Sequence, residues 1–422
     1  MAHTTREDDA SPEPMPDGSV APPARPMHLR AVEERAISER PKTRRRRKVT
    51  ASKDAAGFFE LPQAHSLVKA TIVSKYFKSW AGIIKPRATE KKMAYFDLFA
   101  GKGAYDDGTP STPLLIMNTI IADPVLREQM LTFFADALPE CIKALRENVA
   151  ALPGIGTLKY APKIETTTPK ESKLDETFAA ANVIPSFMFL DPFGYEGVTA
   201  NLINAILKSW GCDVVFFFCF KRMPGAIMNN KVRDHMDALF GAERVDELRK
   251  RLPTLKREQK EEAILAALEA SLNVPGKRYV QTFRFRDSHG NVSHHLVFVT
   301  KNPTAHKIMK GIMGHESSSF VEDVPSFEYM VNAPQKLFET YSPIEELIDD
   351  LVKRFRGRTV TIEQIIAEHH YGTRYVDKNY QEALRRLCYD RGAVTAVRGP
   401  MSPTLNPKKR DMPLKNTFIT FP

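Results

Sequence analysis

A chain of 422 residues has room for two domains and a tail, and its 42% hydrophobic and 27% charged residues are the balance of a globular chain. No apolar run reaches the roughly 18 residues of a membrane span. The Asp-, Pro- and Arg-rich N-terminus lacks the apolar core of a secretory signal, and Cys141, Cys212, Cys219 and Cys388 show no C-x-x-C spacing. A cytoplasmic protein with neither a metal site nor a disulfide framework is therefore expected. The net charge of +10 divides into +3 over residues 1–55, zero over 56–353 and +7 over 354–422. Polyanion contact is thus expected at the ends of the chain rather than in its middle.

Residues 1–55 are polar and Pro-rich, with too little apolar surface to offset chain entropy, and read as a disordered basic tail. The run Arg44 to Lys48 suits an arm touching polyanions, or a solvated charge run. From residue 62 to 84 the pattern becomes helical. Val68, Ile72, Tyr76 and Trp80 recur every four residues, with Val73 and Phe77 widening the stripe, which is read as core covering a sheet edge. His65 and Lys69 share a face of this helix and are expected on the surface.

Alternating strands and helices follow. Strands are expected at 93–99, 130–135, more weakly at 157–164, at 186–190 and at 213–220. Helices are expected at 113–121, through Leu145, and at 198–209. The continuous apolar run Val214 to Phe218 requires a strand covered on both faces, as in a parallel sheet. A charged helical insert spans 231–272. Strands at 279–286 and 295–300, joined through Gly290-Asn291, form a hairpin, and a helix runs over 303–313. Of His294 and His295, one is expected buried and the other exposed, both structural.

Residues 341–422 form a separate module. Helices are expected at 344–355, behind Thr361 as cap, and at 377–390, then strands at 394–397 and 417–421. Helices followed by a two-stranded wing indicate a winged helix. Arg385, Arg386 and the loop residues Lys408, Lys409 and Arg410 would then face phosphates, unless the module serves only for docking. The domains are thus 1–55, 56–340 and 341–422.

Two strand ends carry chemistry. The strand before Asp97 leads through Phe99 into Gly101-Lys102-Gly103, where missing side chains let backbone approach a cofactor, or simply make a tight turn. A full G-x-G-x-x-G is absent, and Tyr105 to Pro110 delays the next helix, so a pyrophosphate has no well-placed helix N-terminus. That favours S-adenosylmethionine over a nicotinamide or flavin. Asp136, ending the second strand, can accept from both ribose hydroxyls or cap the following helix. Asp191-Pro192-Phe193-Gly194 closes the fourth strand. A carboxylate and a carbonyl can each accept a hydrogen of an exocyclic amine while Phe193 stacks on the base; the same residues also suit a plain turn. Lys221 and Arg222 are placed at the substrate mouth. The expected fold is α/β, a Rossmann-like class I methyltransferase sheet with a C-terminal winged-helix-like domain.

The order Asp97-Leu-Phe-Ala-Gly-Lys-Gly, Ser111-Thr-Pro-Leu, Phe189-Leu-Asp-Pro-Phe-Gly and His295-Leu-Val-Phe-Val-Thr-Lys resembles the bacterial and phage three-Cys-motif partner proteins (TcmP) over residues 58–422. Lys102 stands where members often have Pro, and Thr112 where Ser is usual. The resemblance implies a class I methyltransferase fold ending in an antiparallel hairpin, and a partner carrying the three-cysteine motif. A second, local resemblance, confined to Asp-Pro-Phe-Gly, is to tRNA guanine amino-group dimethyltransferases. Adenine amino methyltransferases usually show Asp/Asn-Pro-Pro-aromatic, so it shifts the expected acceptor from adenine towards guanine or another amine. The expected function is methyl transfer to an exocyclic amine of RNA or DNA; the alternative is a non-catalytic nucleic-acid-binding adaptor that keeps the fold.

Overall fold

The computed structural model describes residues 64–88, 90–169, 171–180, 183–192, 194, 197–273, 277–333, 341–398 and 417–422. The expected tail over 1–55, Phe193, and the loop residues Lys408, Lys409 and Arg410 lie outside the described residues.

The four-residue stripe becomes helix α1 (Ala64–Ile84), which buries Ile72, Val73, Tyr76, Phe77 and Trp80 against the sheet. Each such side chain contributes on the order of 1.5–3 kcal/mol on burial. Their polar tips are satisfied: Tyr76 Oη donates to Asp213 at 2.6 Å, and Trp80 Nε1 to the Gly211 carbonyl at 3.0 Å. The stripe is core, as its period indicated.

The alternation that follows builds β1 (Met93–Asp97), α2 (Thr112–Ala122), α3 (Pro124–Gln129), β2 (Met130–Asp136), α4 (Pro139–Ala150) and β3 (Lys163–Thr166). It continues with α5 (Leu174–Ala180), β4 (Ser186–Leu190), α6 (Ala200–Leu207) and β5 (Asp213–Phe218). Four helices lead on, α7 (Met223–Met228), α8 (Arg233–Phe240), α9 (Ala242–Arg251) and α10 (Arg257–Leu272). The hairpin β6 (Tyr279–Arg286) and β7 (Val292–Thr300) and helix α11 (Pro303–His315) come next. Residues 231–272 are more than an insert. Met236, Phe240, Leu248, Ile264 and Leu272 pack with Val214, Phe216 and Phe218 as the cover of one sheet face. Helices α1, α2, α4 and α11 cover the other, around Tyr95, Phe134, Phe187 and Phe298.

With β10 (Glu328–Met330) at one edge, the eight strands run β10-β6-β7-β5-β4-β1-β2-β3. Strands β3, β2, β1, β4 and β5 are parallel, and β7 alone enters antiparallel between β5 and β6. This is the hairpin-closed, doubly wound sheet of a class I methyltransferase, as expected. The segment 314–342 has no element assigned from the sequence. It holds β8 (Phe320–Val321), β9 (Val324–Pro325) and β10 (Glu328–Met330), and β10 extends the large sheet beside β6.

The last module comprises α12 (Pro343–Phe355), β11 (Thr359–Thr361), α13 (Ile362–His369), α14 (Asp377–Arg385) with a π turn at Arg386–Asp390, β12 (Thr395–Arg398) and β13 (Thr417–Thr420). Thr361 caps α13 reciprocally: its Oγ1 accepts from Gln364 N at 3.1 Å, and Gln364 Oε1 accepts from Thr361 N at 2.8 Å. The wing has three strands, β11-β13-β12, rather than the expected two. The module is joined to the sheet domain by a buried polar seam. Lys310 Nζ donates to the His370 carbonyl at 2.6 Å, His306 Nδ1 lies 3.3 Å from His370 Nε2, and Tyr371 Oη donates to Glu269 at 2.6 Å. No described helix is long and apolar enough to cross a membrane.

Candidate functional site

In a parallel sheet, the carboxyl ends of the strands and the loops after them form the ligand-binding edge. Register places Asp97 of β1 beside Phe189 of β4, two residues before Asp191, and beside Phe134 of β2, two residues before Asp136. Three acids therefore meet at one edge. A cleft opens there, lined among others by Asp97, Phe99, Gly101, Ser111, Phe189 and Asp191.

Asp97 is almost completely buried. Its Oδ1 accepts from Phe99 N at 3.3 Å, and Tyr95 Oη lies 3.4 Å from Oδ2. Burial pushes its carboxyl well above the usual carboxylate range. The Phe99 N–H pulls it back, and the charges of Asp191 and Asp136 push it up further. Gly101, at φ +62°, turns the chain over the cleft, and its N–H donates to Asp136 Oδ2 at 3.0 Å. Asp136 Oδ1 accepts from Leu138 N at 2.9 Å. Both oxygens of Asp136 thus hold the two loops together, and burial raises its pKa against those bonds.

The expected cofactor residues divide into two groups. Asp97, Phe99 and Gly101 line the cleft with Asp191, whereas Asp136 and Gly103 stand behind it. At Gly103 (φ +82°) an added Cβ would lie 2.6 Å from Leu145 Cδ1, so its missing side chain admits the core rather than a ligand. One exclusion made from the sequence needs correction. Residues 104–110 fold back on themselves through the Ala104–Pro110 bridge, and Ser111 N donates to the Gly103 carbonyl at 2.8 Å. The N-terminus of α2, with Ser111, Thr112 and Pro113, therefore borders the cleft after all. A displaced helix is therefore no ground against a pyrophosphate here.

Lys69 corrects a second expectation. It is 6% exposed, and its ammonium forms an ion pair with Asp191 and lies 5.0 Å from the centroid of Phe217. Residues four apart on a helix share a face, and that shared face of His65 and Lys69 covers the site rather than meeting solvent. His65 is half-buried against Phe285 and His294. His294 is not exposed either: it stacks on Phe285 at 4.5 Å, and burial drives its pKa down to about 2. His295 is buried 3.1 Å from Glu261, so both histidines are interior. Lys221 and Arg222 are exposed beside the Asp191 loop, with Arg222 Nη1 3.8 Å from where a Gly194 Cβ would stand.

The winged-helix arginines are already engaged. Arg385 pairs with Glu382 at 2.8 Å and Asp390 at 3.2 Å; Arg386 pairs with Glu382, Glu322 and Glu345 at 2.9–3.2 Å. Asn379 Nδ2 also donates to the Asp323 carbonyl at 3.0 Å. Helix α14 is therefore fastened to the β8–β9 turn rather than presented as a free basic face.

Residues 328–393 match a family model described as a GMT-like wHTH domain. The C-terminal module is a winged helix-turn-helix domain. Among curated proteins none matches the chain. Among solved structures, a protein from Legionella pneumophila is similar at 11% identity, over 58% of this chain and 91% of that one, with a TM-score of 0.35. A plantazolicin methyltransferase in complex with SAH is similar at 9% identity, over 65% and 95%, with a TM-score of 0.32. A SAM-dependent methyltransferase from Agrobacterium tumefaciens is similar at 11% identity, over 55% and 61%, with a TM-score of 0.30. Likenesses this loose add nothing to the fold assignment, which rests on strand order and register.

Proposed function

We propose that the protein is an S-adenosylmethionine-dependent methyltransferase acting on an exocyclic amine of RNA or DNA, working with a three-Cys-motif partner as in the TcmP family it resembles. The observation that carries this is the cleft at the carboxyl edge of β1 and β4, where Asp97, Phe99 and Gly101 face Asp191. Adenosylmethionine, when bound, supplies an electrophilic methyl group on a sulfonium. The residues offer it hydrogen-bond partners: the Asp97 and Asp191 carboxyls and the Gly101 turn line one cleft.

In this reading Asp97, Phe99 and Gly101 hold the cofactor, and Asp136 fixes the Gly101 loop through the bond its carboxylate accepts from Gly101 N. Asp191 and the Pro192 carbonyl accept the hydrogens of the acceptor amine, and Phe193 stacks on its base. No general base is needed, because a neutral amine can attack first and lose its proton afterwards. Nucleic acid is expected to reach the cleft past the exposed Lys221 and Arg222. Lys408, Lys409 and Arg410 supply further phosphate contacts; Arg385 and Arg386 do so only after leaving their carboxylates.

Calorimetry with adenosylmethionine tests the cofactor assignment. Wild type should bind, and Asp97→Ala should lose about tenfold or more in affinity. No binding by wild type, or equal binding by the variant, rejects it. The adaptor reading is favoured by one observation, that Asp191 is already paired with Lys69. It requires salt-sensitive nucleic-acid binding that survives Asp191→Ala, with no label transferred. Transfer of labelled methyl into total RNA or DNA that disappears in Asp191→Ala removes the adaptor.

A further inference from the structure

The buried ammonium over the acceptor carboxylate poses a physical question. Desolvating a lysine is unfavourable unless its partner returns the energy, and an apolar residue on this face of α1 would pack without that penalty. Lys69 nevertheless sits between the Asp191 carboxylate and the face of Phe217, with Asp97 in the same cleft. Among the described residues lining the cleft, the other cation is Lys102, which lies 3.1 Å from Asp106.

We infer that Lys69 sets the charge specificity of the site: by neutralising Asp191 it lets the acceptor side take a neutral amine and turn away a cationic one. The inference rests on the methyl-transfer reading above and names its substrate class more narrowly. An aliphatic amine, such as a lysine side chain or a polyamine, is protonated near neutral pH. It would be drawn to a bare carboxylate, yet it has no lone pair to give. Against the Lys69–Asp191 pair that attraction is cancelled, and the ammonium repels a second cation. A nucleobase amine is neutral and needs only a hydrogen-bond acceptor. A carboxylate has about four lone-pair sites, so one lysine does not exhaust Asp191, whose side chain is 21% exposed. Lys69 acts through Asp191 and is a positioning residue, not a catalytic one.

The charge at the transfer position can be read by binding alone, with three ligands that share one skeleton. S-adenosylhomocysteine is neutral at sulfur, adenosylmethionine carries a sulfonium there, and sinefungin carries an amine that protonates. In Lys69→Met, sinefungin and adenosylmethionine should each tighten relative to S-adenosylhomocysteine by about tenfold, a modest share of what a unit charge exerts over a few ångströms. Lys69→Arg keeps the charge and should keep the wild-type ratios. A lysine with only a structural role would weaken all three ligands alike. Ratios unchanged within about twofold in Lys69→Met would overturn the inference while leaving the methyltransferase reading in place. If Lys69→Met does not fold, as judged by circular dichroism, Lys69→Gln makes the same neutral comparison. A wild type that binds none of the three removes the methyltransferase reading and this inference with it.

Discussion

Replacing Gly103 by alanine should cost about 2–5 kcal/mol of stability while leaving the cleft able to bind its ligand. Two terms make up that figure. Gly103 sits at φ +82°, where an L-residue costs roughly 1–2 kcal/mol. Its new Cβ would lie 2.6 Å from Leu145 Cδ1 and 3.4 Å from Leu114 Cγ, two buried side chains of α4 and α2. Carbon atoms attract best at about 3.5–4.0 Å, so Leu145 must leave its rotamer or α4 must shift, typically costing about 1–3 kcal/mol. Gly108 is the internal control. It has the same φ of +82° but nothing within 4 Å of its Cβ position, so Gly108→Ala should show the backbone term alone. Urea unfolding followed by circular dichroism and by fluorescence reads the difference as a midpoint shift at unchanged slope. Equal losses for the two variants would refute the packing account. So would a folded Gly103→Ala protein that no longer binds adenosylmethionine, since that would return Gly103 to the cofactor.

Acidification should loosen the seam between the two domains. Burial lowers His306 from 6.5 to about 3 and lowers His370 as well, so folding favours their neutral forms. The stability they contribute is full above the unfolded value of 6.5 and is lost as pH falls towards the folded values. Lys310, drawn by burial from 10.5 to about 7, loses its contribution earlier, between those two values. The melting midpoint should therefore fall between about pH 7.5 and pH 5, and less so in His306→Phe; a flat midpoint in wild type would contradict this. Arg386→Ala should cost about 1 kcal/mol, because its partners are partly solvated, and should leave the salt dependence of nucleic-acid binding unchanged. A salt slope lower by about one unit would put Arg386 on a phosphate after all.

The parallel strands were legible because each is a short apolar run bounded by turn residues, and burial on both faces removes the ambiguity of alternation. Val214 to Phe218 and Phe187 to Leu190 were found on that signal alone. The strand read at 157–164 lies instead at Lys163–Thr166, because an edge strand with half-buried residues has no comparable run. Strand β10 escaped notice for a related reason. Its three half-buried residues are held by pairing with β6, and Glu328 serves Arg284 and Arg286 across that pair, a tertiary arrangement that leaves no local pattern. The third wing strand, Thr359–Thr361, merges into the cap of α13, so the capping signal at Thr361 concealed it.

The site was legible where it depended on strand ends and illegible where it depended on a helix laid over them. Asp97 and Asp191 could be placed together because a parallel sheet brings the carboxyl ends of adjacent strands to one edge. Lys69 was sent to solvent by its residue type and not by its spacing, since it stands four residues before Val73 and eight before Phe77 and so shares their buried face. That face of α1 meets the sheet with its aromatic stripe and the mouth of the cleft with its first turns. A charged residue on it is at the surface only if nothing oppositely charged lies beyond the strand ends. Here the Asp-Pro motif supplies that charge, more than a hundred residues away in the chain. The same reasoning applies in reverse to Arg385 and Arg386, whose spacing suggested a free basic face. Glu382 within the helix and Glu322 and Glu345 outside it claim both guanidiniums. Charge patterns along a sequence name the ions at a site, but the sheet edge and the β8–β9 turn decide which are already paired. At the cleft that pairing sets Lys69 against Asp191, and at the winged helix it sets both arginines against carboxylates.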